Sequence, residues 1–199
     1  MIKLQGSIPR EVGVAVSGGV DSMAVLDFLS RKHKVTAYCF DHGTEHGKAA
    51  MDFVAKYCLK NRISLQRGQL ANERPAGVSM EEHWRNERYA WFKQFDQTIV
   101  LGHHLDDCVE TYVFNMCHGT VWNMPYRHAN TVRPFRLTRK EELINWAETH
   151  RIPWLDDPSN KKEDFMRNYI RLRILPDILH VNPGLHKVIK KKLMEEDVL

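Results

Sequence analysis

The amino-acid sequence predicts an α/β fold, a doubly wound parallel sheet with a short helical C-terminal appendage. Short apolar, β-branched runs alternate with longer segments of helical period over the first two thirds of the chain, the pattern of strands joined by crossover helices. The first run breaks at Ser17-Gly18-Gly19 and resumes at once with helical spacing, as a parallel strand does when it turns into the helix that follows it. Beyond Gly119 the alternation stops, and the remaining periodic segments are helical.

Residues 12–16 form a valine-rich apolar run, a buried strand. Residues 20–31 follow as a helix and 35–40 (VTAYCF) as a second strand. Met51, Val54, Ala55, Cys58 and Leu59 recur at helical spacing, so 48–61 reads as an amphipathic helix, and 63–66 as a short strand. Trp84, Arg88, Trp91 and Phe95 share one face of a helix within 79–95. Residues 98–101 (TIVL) are a strand. Residues 105–117 are a helix whose buried stripe is Leu105, Val109, Tyr112, Val113 and Met116, with Asp106, Asp107 and Glu110 on other faces. Residues 119–134 carry no clear period. Residues 141–150 are helical with Thr138 as the cap. Residues 164–175 are helical until Pro176 ends or kinks the helix, and 182–196 is one more helix.

With 199 residues the chain has room for one α/β domain and an appendage. Its net charge of +4, from 29 Lys and Arg against 25 Asp and Glu, is compatible with an RNA partner without requiring one. No segment has transmembrane length or the form of a signal peptide, so a cytoplasmic protein without membrane contact is expected. The four cysteines, Cys39, Cys58, Cys108 and Cys117, contain no C-x-x-C pair. They read as reduced thiols and not as a zinc or redox site.

A strand that ends in glycines before a helix is an anion site: the backbone approaches closely, and free N–H groups and the helix dipole face negative charge. Ser17 and Ser22 add hydroxyls, while Asp21 would repel a phosphate and suits a Mg²⁺ beside one. The sequence has no G-x-x-x-x-G-K-[ST] and no G-x-G-x-x-G at this turn, which disfavours γ-phosphate transfer and dinucleotide binding. Extended to S-G-G-V-D-S, 17–22, the loop resembles that of the N-type ATP pyrophosphatases, the PP-loop family. The resemblance implies a HUP-like adenine nucleotide α-hydrolase fold. It implies ATP and Mg²⁺ held at Ser17, Gly18, Gly19, Asp21 and Ser22, with Asp21 on the metal, cleavage between the α- and β-phosphates, and transfer of AMP to a carbonyl oxygen. The expected division is a PP-loop domain, 1–135, and a helical extension with a basic tail, 136–199.

In LGHHLDDCVET, 101–111, Asp107 and Glu110 lie three apart on a helix and can converge on one cation, such as the ammonium of an amine substrate, or help deprotonate it. A solvated acidic helix start is the plainer reading of the same residues, and a metal site at His103, His104 and Asp107 lacks further ligands. The stretch resembles the G-H-H-x-D-D-Q-x-E-T motif of the tRNA(Ile)-lysidine synthase family. FDHG (40–43) resembles its H-V-x-H-G, WRNERYAWF (84–92) its A-R-x-x-R-Y-x-F, and RPF (133–135) its R-P-L. Residues 154–176 resemble its W-x-E-D-P-S-N, R-N-x-I-R and I-L-P, and all these matches fall in order along the chain.

That resemblance implies a C–N bond-forming ligase. The C2 carbonyl of the wobble cytidine in the CAU anticodon of tRNA(Ile) is adenylated, and the ε-amine of L-lysine then displaces AMP to give lysidine. It places Asp41 and His104 at the nucleotide, Arg85 against phosphate charge, and Asp107 and Glu110 on lysine with Asp106 as a substitute. Arg167 and Arg171, four apart, would meet tRNA phosphates, or form a solvated basic face.

Three departures stand out. Cys108 occupies the position of the motif's Gln, and where the family's segment after the fourth helix carries an arginine and several glycines, 115–128 (NMCHGTVWNMPYRH) has Gly119 as its one glycine. Past I-L-P the sequence has a tail with Lys187, Lys190, Lys191 and Lys192, where longer members carry domains that grip the tRNA. A minimal enzyme, a homodimer or a different acceptor would each accommodate this. The alternatives are a PP-loop enzyme adenylating another RNA base or a small carbonyl compound, and a non-catalytic nucleotide- or tRNA-binding protein. Sulfur transfer is disfavoured by the absence of paired cysteines.

Overall fold

The computed structural model describes residues 2–120, 122–157 and 166–196. Its strands are β1 (Glu11–Ala15), β2 (Lys34–Asp41), β3 (Ser64–Gln69), β4 (Ile99–Val100), β5 (Arg127–His128) and β6 (Thr131–Val132). They form one sheet in the order β3-β2-β1-β4-β6-β5, parallel throughout except for β5. The doubly wound parallel sheet expected from the sequence is present, with one addition. The stretch without period contains β5 and β6, each two residues long. Two residues cannot display an alternation; these strands exist because β6 pairs with β4 and buries Thr131 and Val132.

The helices are α1 (Val20–Ser30), α2 (Glu45–Lys60), α3 (Met80–Phe92), α4 (Leu105–Cys117), α5 (Lys140–Thr149), α6 (Met166–Tyr169), α7 (Leu175–Val181) and α8 (Leu185–Glu196). Side chains alternate across a strand, and β2 shows it. Ala37 and Cys39 join the core shared with α1, α2 and α5, while Tyr38 joins Tyr89 and Phe92 of α3 on the opposite face. Gly13 in β1 is required by that second core: a Cβ there would lie 2.6 Å from Tyr38 Cε2 and 3.0 Å from Ile99 Cγ1. A third core joins Leu105, Val109 and Val113 of α4 to Ile170, Leu175, Ile189 and Leu193 of the C-terminal helices. Among the described residues no helix is long and apolar enough to cross a membrane.

Several local expectations are corrected. Thr138 does not cap α5; its buried hydroxyl donates to the Lys3 carbonyl and accepts from the Lys3 amide, tying the N-terminal segment down, and Arg139 is the cap residue. Pro176 does not end the helical run. A π-helical stretch, Ile170–Ile174, precedes it and α7 continues through it. The widened turn accommodates the ring that would clash with an α-helical carbonyl four residues back. On α4, Met116 is half exposed and Glu110 is buried, the reverse of their expected faces, because the C-terminal helices cover the Glu110 side. Residues 164–165 of the expected helix, and the P-S-N of 158–160, lie outside the described residues.

Candidate active site

The loop after β1 is organised by its two serines. The Ser17 amide donates to Ser22 Oγ (3.1 Å), which donates to the Gly19 carbonyl (2.9 Å) and lies 3.3 Å from Ser17 Oγ. Gly18 takes φ +83°, a conformation that strains any residue with a side chain. Its carbonyl accepts the Leu155 amide at 2.9 Å, so the 152–157 strap closes over the loop. Gly19 is the N-cap of α1 and offers no capping side chain, which leaves the first amides of the helix to an external acceptor.

Asp21, in the first turn of α1, faces two cations: its Oδ2 lies 3.6 Å from His104 Nε2 and 3.6 Å from Lys140 Nζ. Burial opposes its charge, but the hydrogen bond and charge of His104, with Lys140, hold its carboxyl below the ordinary value. Its other oxygen, Oδ1, is buried without a hydrogen-bond partner. His104 caps α4: its Nδ1 accepts the Asp107 amide (3.3 Å) and the Asp107 carboxylate accepts the His104 amide (3.0 Å). Burial pushes the His104 pKa down, yet the surrounding carboxylates of Asp107, Asp21 and Asp106 outweigh it and raise the value.

Loop, α3, α4, α5 and the strap enclose an open cleft of about 840 Å³. Its apolar floor includes Ala15, Tyr38, Phe40, Phe92 and Leu101, and Ser17, Gly19, Asp21, Ser22, Asp107, Lys140 and Arg171 line the polar end. The cleft also carries unmatched ring nitrogens. Trp84 Nε1, His42 Nδ1 and His103 Nδ1 are all buried without a partner. Burial lowers the His42 pKa to about 4, helped by Arg88, and takes His103 well below its usual value, helped by Arg133, Arg88 and Arg85. Burial and the mutual repulsion of Arg85, Arg88 and Arg133 likewise lower Arg88. Such a cluster of guanidinium groups favours an anion.

A family profile described as the PP-loop domain matches residues 3–178. The chain belongs to the PP-loop family. Among curated proteins, this PP-loop chain is 34% identical to a tRNA(Ile)-lysidine synthase of Porphyromonas gingivalis, over 90% of this chain and 43% of that one. It is 32% identical to the synthase of Geobacillus kaustophilus, over 92% and 45%, and 30% identical to that of Bacillus subtilis, over 89% and 42%. The chain thus spans about half the length of the curated relatives it matches. Among solved structures, the U34-tRNA thiolase NcsA of Methanococcus maripaludis, described with its [4Fe-4S] cluster, superposes with a TM-score of 0.72 at 17% identity, over 96% of this chain and 73% of that one. The NH3-dependent NAD synthetase of Campylobacter jejuni gives 0.52 at 16%, over 95% and 86%. At those identities the structures establish the shared fold.

Of the residues singled out from sequence, the PP-loop cleft gathers Ser17, Gly19, Asp21, Ser22, Asp107 and Arg171 on its wall, with Gly18 in the loop itself. His104 sits behind Asp21 and Asp107, shaping both. Asp41 turns the β2–α2 corner by accepting the Gly43 amide (2.9 Å). Arg85 is exposed, its guanidinium 4.8 Å over the Tyr89 ring, and Arg88, one turn on, takes the cleft wall. Asp106 is engaged away from the cleft wall by the Lys140 amide (2.8 Å), Arg139 (3.3 Å) and His186 of α8 (3.1 Å). Glu110 is bound by Arg171 and Arg167. Sequence reasoning gave no role in the cleft to Trp84, Arg88, Lys140 and Asp156, and weighed His103 only as a metal ligand. Arg88 was within reach as the second arginine of the R-x-x-R pattern; Lys140 had no signal, because its role depends on where α5 docks.

Proposed function

We propose that this chain is a tRNA(Ile)-lysidine synthase acting through its PP-loop. The observation that carries the reading is one cleft holding both an uncapped glycine loop and, beside it, the acidic start of α4, with His104 between Asp21 and Asp107. In the proposed reaction the loop amides and the hydroxyls of Ser17 and Ser22 cradle the phosphates of ATP. The orphaned Oδ1 of Asp21 is a hard oxygen donor in the right place for Mg²⁺, which would neutralise phosphate charge when bound. His104 and Lys140 keep Asp21 ionised.

Cytosine O2 forms a bond to the α-phosphorus, and the α–β bridging bond breaks with its electron pair leaving on pyrophosphate. Arg88, seconded by Arg85, neutralises charge there. The lysine ε-ammonium, with an ordinary pKa of about 10.4, must lose a proton before it attacks. Of the aspartates that line the cleft, Asp107, at the start of α4, is the one assigned to hold the ammonium and take that proton. The freed amine then bonds C2, and the C2–O2 bond breaks as AMP leaves. Glu110 contributes through Arg171, which it orders at the same wall. Sulfur transfer fits these side chains poorly: Cys39, Cys58 and Cys108 are buried, and burial raises their thiols to about 12, 11 and 12.

Mass spectrometry of nucleosides tests the reading. The chain is incubated with an unmodified tRNA(Ile) bearing a CAU anticodon, Mg-ATP and lysine. Lysidine in the digest, lost in Asp107→Ala, is the expected result. Release of AMP and pyrophosphate with RNA present but without lysidine would move the chemistry to another acceptor.

A further inference from the structure

We propose that Trp84 and His42 form a ledge on which a nucleobase of the RNA acceptor stacks. This rests on the reading above and adds to it the residues that receive the acceptor. The rings of His42, at the end of β2, and Trp84, in the first half of α3, lie 5.4 Å apart and are tilted by 32°. A base sandwiched between them would need two stacking separations, roughly 7 Å in all. The two rings therefore present one broadened surface, and a base lies against it rather than within it.

Three features mark the ledge as unfinished without a ligand. Both rings line the cleft, and each carries a buried ring nitrogen with no partner, Trp84 Nε1 and His42 Nδ1; a native structure rarely leaves such groups unmatched. Trp84 also belongs to none of the three apolar cores, so folding alone does not account for an indole there. Arg85, the next residue on α3, is exposed beside it, so a base on the ledge lies next to the guanidinium groups that meet phosphate charge. Stacking accepts any base, so the ledge supplies affinity, and the choice among bases falls to the donors behind it.

Position favours the acceptor over the adenine of ATP. The apolar floor of Ala15, Tyr38, Phe40, Phe92 and Leu101 offers a purine its own place beside the loop, since Ala15 ends the strand that leads into it, whereas Trp84 lies a full two turns before Phe92 on α3 and adjoins that floor only through His42, whose ring lies 5.1 Å from Phe40.

The test separates the two ligands. An anticodon stem-loop with the CAU sequence is titrated against wild type, Trp84→Ala and Trp84→Phe by fluorescence anisotropy, and Mg-ATP is titrated without RNA by calorimetry. We expect Trp84→Ala to weaken stem-loop binding by about tenfold or more, Trp84→Phe to restore most of it, and ATP affinity to stay unchanged in both. Loss of ATP affinity with RNA binding intact would assign the ring to adenine and overturn the proposal, as would unchanged binding of both. Wild type that does not bind the stem-loop overturns it too. Wild type that binds the stem-loop but makes no lysidine sinks the ligase reading alone, and the ledge is then decided by the Trp84 variants.

Discussion

Arg171 brings two nitrogens to one oxygen of Glu110: its Nη2 lies 2.7 Å and its Nε 2.8 Å from Oε2. Arg167 approaches the other oxygen at 3.5 Å, with its guanidinium 4.7 Å over Phe114. The Glu110 side chain is 6% exposed, so it cannot turn to solvent if its partners are lost. These contacts bolt the α6–π segment to α4. Removing the carboxylate strands two arginines, but both are more than a third exposed and water recovers part of the loss. We therefore expect Glu110→Ala to cost about 2 kcal/mol, below the 3–5 of a fully buried pair, and Glu110→Gln to cost less. Urea unfolding monitored by circular dichroism gives the values. A Glu110→Ala variant of wild-type stability whose only defect is a raised KM for lysine would show that the carboxylate serves the substrate directly.

His104 makes stability depend on pH in a direction fixed by its surroundings. Asp107, Asp21 and Asp106 raise its pKa against the effect of burial; the protonated ring gives up the long hydrogen bond that Nδ1 accepts from the Asp107 amide (3.3 Å) in exchange for these ion pairs. A raised folded-state value means that the stabilisation is complete below the unfolded value of about 6.5 and disappears as pH rises through the folded one. Asp21 and Asp106 act oppositely: both are lowered, so their contribution is present above about 3.9 and fades as the solution is acidified further. The wild-type unfolding free energy should fall as pH climbs beyond 6.5, and His104→Gln should be flat over that interval. Parallel curves for the two proteins would contradict the assignment.

The sheet and the glycine loop after β1 were legible in the sequence because both are written in short range. Val12 and Val14 alternate with small residues, and Ser17-Gly18-Gly19 sits where strand becomes helix. The expected faces of α4 failed for a tertiary reason. Glu110 reads as a surface acid on its own helix, and only the arginines of a segment more than fifty positions away make its burial tolerable. Thr138 failed likewise, since a threonine near a helix start resembles a cap until Lys3 claims its hydroxyl. Lys140 and Trp84 join the cleft through the docking of α5 and α3, which no local pattern encodes.

The cysteines offer an independent check on the reading as an amine ligase. Cys39, Cys58 and Cys108 are buried, and Cys117 at the end of α4 is exposed. A thiol reagent attacks the thiolate, and burial holds the first three far above their ordinary ionisation range. Native protein at pH 8 should take up one equivalent of Ellman's reagent quickly, at Cys117, and the remainder only with unfolding. Rapid reaction at Cys108, which stands where the motif has glutamine, would mean that the start of α4 opens far more readily than its packing suggests.

Asp21 joins the loop to the metal expected beside it, and the two roles of its carboxylate can be separated. Oδ2 is committed to His104 and Lys140, whereas Oδ1 is buried and unmatched. Asn at this position keeps the size and one acceptor but removes the charge. The apo protein should lose only about 1 kcal/mol, because the ion pairs are long and Lys140 is largely hydrated. Ligand-induced stabilisation should change much more. At a hundredfold excess over Kd, a bound ligand adds about 2.7 kcal/mol, or on the order of 5 °C for a chain of this size. Wild type should show that rise in Tm with Mg-ATP and a smaller one with ATP in EDTA. Asp21→Asn should give the same small rise in both, since the difference between the two conditions is the contribution of a cation that needs this oxygen. A full Mg²⁺-dependent rise in the variant would show that the metal is held by other oxygens, and Asp21 would then be a carboxylate that orders His104 and nothing more.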